Sequence, residues 1–347
     1  FEDVYVDRSR FAASASFTDA AIALEASFKE AVFGEAVFAG TRFGEETLFR
    51  NCRFDGPARF DKARFRRRVH FNGADFSRHA SFRDITFVRG GAFAGARFAG
   101  GVSFAGSRFR SDLDLSGAAA DAQVSLNAAF SGDLILHDAS LSTLDLAGYT
   151  ATGGADSAAA SPRVFLEGAR FDNLRLSWED IRGRIAARDS TQAAPLAEQY
   201  AGVAHHLRQR GLEREADAAV AEWTDRMRTS LGWTSPRRWL LELFNATSRY
   251  GNSLARLGAT GFVLLISFTL LYWLGRGRLA GEPGAATPGI GDCFILSLAA
   301  FAHLGGASRW RTNGGLRLLQ LLEGVAGWLY WAALVAVGLR LLLRGFV

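Results

Sequence analysis

Lysine, methionine, cysteine and proline are nearly missing from this 347-residue chain: Lys29 and Lys62 are the only lysines, with one methionine, two cysteines and six prolines. Cys52 and Cys293 lie too far apart for a disulfide framework or a metal-ligand spacing, so a reducing compartment is expected. No secretory signal pattern opens the sequence. Phe1 is not an initiator residue, so the sequence is expected to begin within a longer chain. There is no Ser-His-Asp arrangement, no phosphate-cradling glycine loop and no pair of carboxylates with a defined site, so neither an enzyme nor a cofactor is expected. His205 and His206 are adjacent, pointing about 100° apart on a helix, and so cannot form an i, i+4 metal pair.

What is present is unevenly placed. The net charge of +5 is carried almost wholly by arginine, which with the abundant alanine and glycine suggests a GC-rich bacterial genome. Hydrophobic residues make up 49% of the chain. Those before residue 257 are mostly single Phe or Leu residues at fixed intervals, and those after it are massed into runs.

The intervals are regular. Phe28, Phe33, Phe38 and Phe43 lie five apart. From Phe49 through Phe54, Phe60, Phe65, Phe71, Phe76, Phe82, Phe87, Phe93, Phe98 and Phe104 to Phe109 the steps alternate five and six, a period of eleven. Neither an amphipathic helix nor an alternating strand has this spacing. A coil that turns a corner every five or six residues does, with each Phe inward. Beyond Phe109 the inward residue becomes Leu, in LDL at 113, VSL at 124, LIL at 134, LDL at 144, VFL at 164 and LRL at 174. The 149–162 stretch reads as a loop replacing one unit. This part, as in ARFAGGVSFAGSRF, resembles the pentapeptide-repeat family over about 11–177. The resemblance implies a right-handed quadrilateral β-helix with coils about 4.8 Å apart. Such rods serve many unrelated roles. Between Arg50 and Arg110 there are fourteen Arg or Lys residues against Asp55, Asp61, Asp75 and Asp84. This argues against mimicry of acidic DNA. The basic face is read either as a solvated surface or as a binder of nucleic acid or anionic headgroups; without outward aromatics to stack bases, no nucleic-acid partner is expected.

A second region, 190–256, changes period. Leu196, Tyr200, Val203 and Leu207, then Ala216, Val220, Trp223 and Met227, mark two helical faces on either side of Gly211. In 233–256 the residues Trp239, Leu240, Leu241, Leu243 and Phe244 sit beside Arg237, Arg238 and Arg249, which suits a helix at a membrane interface or a linker helix packed on protein.

The third region, 257–347, holds the runs: 257–274, the shorter 293–307 and 324–339. Eighteen helical residues span about 27 Å, most of a hydrocarbon core, and Tyr272 and Trp273 fit an interfacial aromatic belt. Arg237, Arg238, Arg249 and Arg256 before the first run, and Arg340 and Arg344 after the second, favour cytoplasmic ends in a bacterial inner membrane. FILSLAAFAHLGGAS, followed by GLRLLQLLEGVAGWLYWAALVAVGLRLL, resembles the pore region of two-helix channels of the potassium-channel superfamily. HHLRQRGLEREADAAVAEW and the stretch up to SRYG at 248–251 resemble bacterial proteins that join pentapeptide repeats to such a pore. The resemblance implies a lipid bilayer, inorganic ions and a homotetramer as partners, a re-entrant pore helix, and a filter at Phe301, Ala302, His303, Leu304, Gly305, Gly306 and Ala307. The Thr and Tyr of a TVGYG-type filter and the Asp after it are missing, so potassium selectivity is not expected. Arg309 and Arg311 would make the outer mouth positive and the pore anion-permeable or weakly selective. His303 is either a pH-sensitive filter residue or a histidine bonded behind the loop. Glu323 is either functional or satisfied by backbone or Arg317. Gly324, Gly327 and Gly338 allow bending or close packing of the inner helix. The competing reading is a non-conducting membrane-anchored scaffold or sensor.

Overall fold

The eleven-residue period proves to be half of a coil. In the computed structural model, which describes residues 1–152, 161–188, 193–281, 287–304 and 308–343, strands from Val4–Tyr5 to Ile185–Ala186 stack as a parallel β-solenoid. One coil reads Arg42–Phe43, Thr47–Leu48, Arg53–Phe54 and Ala58–Arg59, and Arg64–Phe65 then lies in register on Arg42–Phe43, 22 residues on. Of the three sheets so formed, one of nine strands and one of seven each cover a side. The third, of eleven strands, covers two sides, because Val32–Val37 pairs with both Arg53–Phe54 and Ala58–Arg59.

The corners explain the alternation of five and six. Each five-residue step between 49 and 109 passes through a left-handed residue two places after its aromatic: Asn51, Lys62, Gly73, Asp84, Gly95 and Gly106. This tight turn uses one residue fewer than the wider corner that follows. Short polar side chains and glycine tolerate that conformation best, which is why the positions are mostly Asn, Asp and Gly.

Inside, the rings form four columns. Phe49 lies flat on Phe71 at 4.8 Å between centroids and Phe60 on Phe82 at 4.8 Å, with interplanar angles of 3° and 4°. Between columns the contact is edge-on, as for Phe49 and Phe60 at 5.4 Å and 83°. Both arrangements suit the aromatic quadrupole. The change to Leu is compensated two residues earlier. Phe49, Phe71 and Phe93 are preceded by Thr47, Val69 and Gly91, whereas Leu115, Leu136 and Leu166 follow Leu113, Leu134 and Val164. Where Gly91 and Phe93 give way to Leu113 with Leu115 and Leu134 with Leu136, a large ring with a glycine neighbour is exchanged for two branched aliphatics, which conserves much of the core volume there. At Gly91 a Cβ would lie 2.9 Å from the Phe93 ring. Gly91→Leu is therefore expected to cost about 1–3 kcal/mol by overpacking, and Gly91→Leu with Phe93→Leu to recover most of it. Unfolding midpoints of the two variants check this; additive losses would contradict it.

The 149–162 stretch does not replace a unit of the coil. Tyr149 is buried and stacks on Phe130 at 4.9 Å, continuing the column of Phe43, Phe65, Phe87 and Phe109. Thr150–Ala151 pairs with Ala129–Phe130 as a regular strand. The step from Leu134 to its partner Val164 is 30 residues instead of 21 or 22, so the extra residues are added to a complete coil and replace none. Residues 153–160 lie outside the described residues.

The last coil is closed by helices α1 (Trp178–Ile181), α2 (Ala193–Gln209) and α3 (Glu213–Ser230). Trp178, Tyr200, Val203 and Leu207 cover its apolar end. The backbone groups it leaves open find side chains: Leu166 N donates to Gln199 Oε1 at 3.0 Å, Trp178 N to Glu215 Oε2 at 2.8 Å, and Arg210 donates to Leu176 O at 3.2 Å. An uncovered sheet end would present unpaired donors and acceptors.

The chain divides into Phe1–Trp223 and Thr224–Val347. In the second unit, α4 (Pro236–Ser248), α5 (Leu254–Leu274), α6 (Ile290–Phe301) and α7 (Gly315–Leu343) pack in sequence, with a two-residue antiparallel pairing of Leu279–Ala280 and Arg311–Thr312. Helix α4 leaves Trp239, Leu240, Leu243 and Phe244 exposed, and Arg238 stacks on Trp233 at 3.7 Å.

Candidate membrane module and pore segment

Among the described residues, two helices are long and apolar enough to cross a membrane, Leu254–Leu274 and Gly315–Leu339. At 1.5 Å per residue, α5 is about 31 Å long, while the twelve residues of α6 reach only about 18 Å. Helix α6 is capped by Gly289, whose N–H donates to Asp292 Oδ2 at 3.1 Å. It packs on both long helices. Its C-terminal end approaches α7 so closely that a Cβ on Gly327 would lie 2.2 Å from Phe301 O. Close packing is thus what Gly327 does here. Gly324 has His303 Nε2 3.9 Å from a built Cβ, and Gly338 has open space.

Glu323 is fully buried between the three helices. Its Oε2 accepts from Tyr272 Oη on α5 at 2.7 Å, and its Oε1 accepts from Ser297 Oγ on α6. Among the described residues its partners are these two hydroxyls, so the expected backbone or Arg317 partner is replaced by side chains from both neighbouring helices. Tyr272, fully buried, is consequently a core residue and not part of an aromatic belt. Trp273 is partly exposed, and Arg276 lies 5.1 Å from its ring. In the sequence the signal for this cluster was three lone hydrogen-bonding side chains, each set in an apolar run; their pairing required the fold.

Around the pore segment, Phe301 is buried and its ring lies 5.2 Å from that of Tyr330. Ala302 is the C-cap of α6, His303 takes a left-handed backbone with φ of 57°, and Leu304 is exposed. Gly305, Gly306 and Ala307, and the flanking Arg344, lie outside the described residues. The mouth arginines differ. Arg309 is ion-paired with Asp292 at 2.7 Å, while Arg311 is exposed in the short strand. Trp310 is buried against Gly281, and Thr312 donates to Gln320 Oε1 at 2.5 Å. An open groove lies between α6 and α7, with His303, Leu304, Arg311 and Arg317 in its lining.

No group of His, Cys, Asp and Glu among the described residues is placed to hold a metal ion. The two cysteines are free and buried, and burial pushes the Cys52 thiol up to about 12.

Residues 38–86 match the family described as Pentapeptide repeats (9 copies). No curated protein matches the chain.

Proposed function

We propose that the second unit sits in a bilayer as an oligomer and passes ions, with little selectivity, through the segment 301–307. The observation that carries this reading is α6: an apolar helix too short to span, held between two membrane-length helices, with its chain turning back at a left-handed His303. One such hairpin cannot enclose a pathway, so conduction needs several copies; the channel resemblance implies four. The apolar surface left exposed on α7, at Leu318, Leu321, Val325, Trp328 and Val335, is available for such contacts as well as for lipid. Two crossings return the chain to its starting side, so the solenoid and the C-terminus share a side, the cytoplasmic one by the arginine flanks. The solenoid would organise the assembly or couple to gating.

Charge at the mouth argues for weak selectivity. Asp292 neutralises Arg309, which leaves Arg311 as the exposed positive residue of each copy's return strand. In planar bilayers with asymmetric KCl, purified protein is expected to give currents reversing well away from the potassium equilibrium potential. A strongly potassium-selective reversal would overturn the selectivity reading.

A second reading, a membrane-anchored scaffold, has its own support. The Arg309–Asp292 pair ties down the first turn of α6, and Ser297 in its middle bonds both neighbouring helices, at Glu323 on α7 and Leu265 O on α5. An intact reconstituted oligomer that carries no current at any voltage would favour it.

A further inference from the structure

The arginines of the solenoid are not spread evenly over its four sides. On the eleven-stranded sheet the arginines of the middle coils are matched with acids, Arg53 with Asp55 at 2.6 Å, Arg59 with Glu35 at 3.6 Å and Arg97 with Asp121 at 3.0 Å, and those without an ion pair among the described residues, Arg10, Arg170 and Arg175, lie in its first and last coils. On the nine-stranded side Arg163 is held by Asp133 at 2.8 Å. The seven-stranded side is different. Arg42, Arg64 and Arg108 occupy one outward register column, in which Arg42 pairs directly with Arg64, and Thr86 separates Arg64 from Arg108. Arg66 and Arg110 follow at the next outward positions, their N–H groups bonded to Phe43 O and Phe87 O. All five are exposed, and among the described residues none of them makes an ion pair. Asp84, at the corner of the shallow groove that Lys62, Arg64, Arg66 and Arg108 line, is the carboxylate nearest this set in the lining.

Stacked like charges on neighbouring strands cost stability, so an unmatched column is a departure from what folding alone selects. With strands about 4.8 Å apart, the guanidinium array runs about 15 Å along a rigid, flat side. Small outward residues flank it, Ala21 and Ala23 before and Ala129 and Ser131 after. Planar guanidinium forks suit phosphate oxygens. We propose that this side lies on the anionic phospholipid surface of a bilayer. A single-stranded nucleic acid is the weaker fit, because the outward positions of this side carry no aromatic residue on which a base could stack. The same chain also carries two helices able to cross a membrane, which would hold a bilayer within constant reach. This proposal rests on those helices being in a membrane and is independent of conduction.

The test uses the full chain in nanodiscs, with a fluorophore on Ser131→Cys and quencher-labelled lipid headgroups; the native Cys52 and Cys293 are buried. Discs containing phosphatidylglycerol are expected to quench the fluorophore, and neutral phosphatidylcholine discs are not. The quenching should fall at least tenfold between about 0.05 and 0.5 M salt, where the Debye length shrinks to a few ångströms. It should also be lost in the quadruple variant Arg64→Gln, Arg66→Gln, Arg108→Gln and Arg110→Gln, and largely kept in the matching Lys variant. A fluorophore on Ser77→Cys, on the eleven-stranded sheet, reports whether the effect belongs to one side. Unfolding midpoints of the variants confirm that the solenoid is intact. Soluble glycerol phosphate that competes only at high millimolar concentration identifies the surface rather than a free phosphate as the ligand. Equal quenching in neutral discs, or none in anionic discs, overturns the proposal. So does arginine-dependent oligonucleotide binding at about 0.15 M salt without lipid quenching, which would make nucleic acid the partner.

Discussion

Phe60→Ala is expected to lower solenoid stability by about 3–5 kcal/mol, the range for truncating a fully buried aromatic. Phe60 has no exposed surface, with rings above and below it at 5.0 Å (Phe38) and 4.8 Å (Phe82). The rings of Phe49 and Phe71 meet it edge-on at 5.4 Å and 5.2 Å. Alanine would open a cavity at the centre of three consecutive coils. Backbones held by a continuous parallel ladder cannot collapse into it. Since each coil touches only its neighbours, the loss also uncouples what lies on either side, and the unfolding transition should broaden as well as shift. Phe60→Leu, which mimics the residue at Leu126 in the same column, should lose less, because a branched aliphatic refills part of the space. Chemical unfolding followed by the far-ultraviolet β signal measures both. A loss below about 1 kcal/mol for the alanine variant would mean that the ring column is not the source of rigidity.

Glu323→Leu is expected to destabilise the helical unit by about 1–4 kcal/mol, with Glu323→Gln much nearer to the parent. Leucine strands the Tyr272 hydroxyl, at about 1–3 kcal/mol for a buried group without its acceptor, and removes the Ser297 bond to Glu323. Interhelical hydrogen bonds in membranes average nearer 0.6 kcal/mol, which sets the lower end. Glutamine keeps an oxygen for Tyr272, and Ser297 Oγ already lies 3.3 Å from Leu265 O, so its proton has a second acceptor. Thermal unfolding in detergent or nanodiscs separates the variants, and the oligomer distribution reports whether α6 has come loose. If Leu and Gln behave alike, the carboxyl does not tie the three helices together.

The solenoid was legible because its constraint is local. Every coil repeats the same inward positions, so a spacing of five and six survives in one dimension without any knowledge of which coil lies on which. Tyr149 is not legible in the same way, because it follows Gly148 and precedes a run of small residues, the pattern of a loop, whereas the column it completes is defined by Phe130, nineteen residues earlier. The two long helices were legible from charge-free length. Their internal bonding was not: Tyr272 and Ser297 lie 51 and 26 residues from Glu323, and no periodicity links them. The same limit applied to Arg309. Its sequence position suggested a free positive charge at a pore mouth, but its partner Asp292 lies seventeen residues away at the start of α6. The unpaired arginine column lay between these cases. Its 22-residue spacing, Arg42, Arg64 and Arg108, is visible in the sequence once the coil length is known, and invisible with an eleven-residue period alone.

The division of one coil into steps of five, six, five and six has a consequence for how such a chain can change its length. Removing a single five-residue unit would turn every following residue a quarter of the way around the rod. The arginine column would then be carried onto another side partway along, and flat-stacked rings would meet edges. Removing a whole coil of about 22 residues would leave each side with its own character and merely shorten the rod. The 30-residue step between Leu134 and Val164 shows the other permitted move, in which material is added at one corner and the strands resume in phase. Gain and loss of length in this rod are therefore quantised: whole turns, or excursions that return to the same corner.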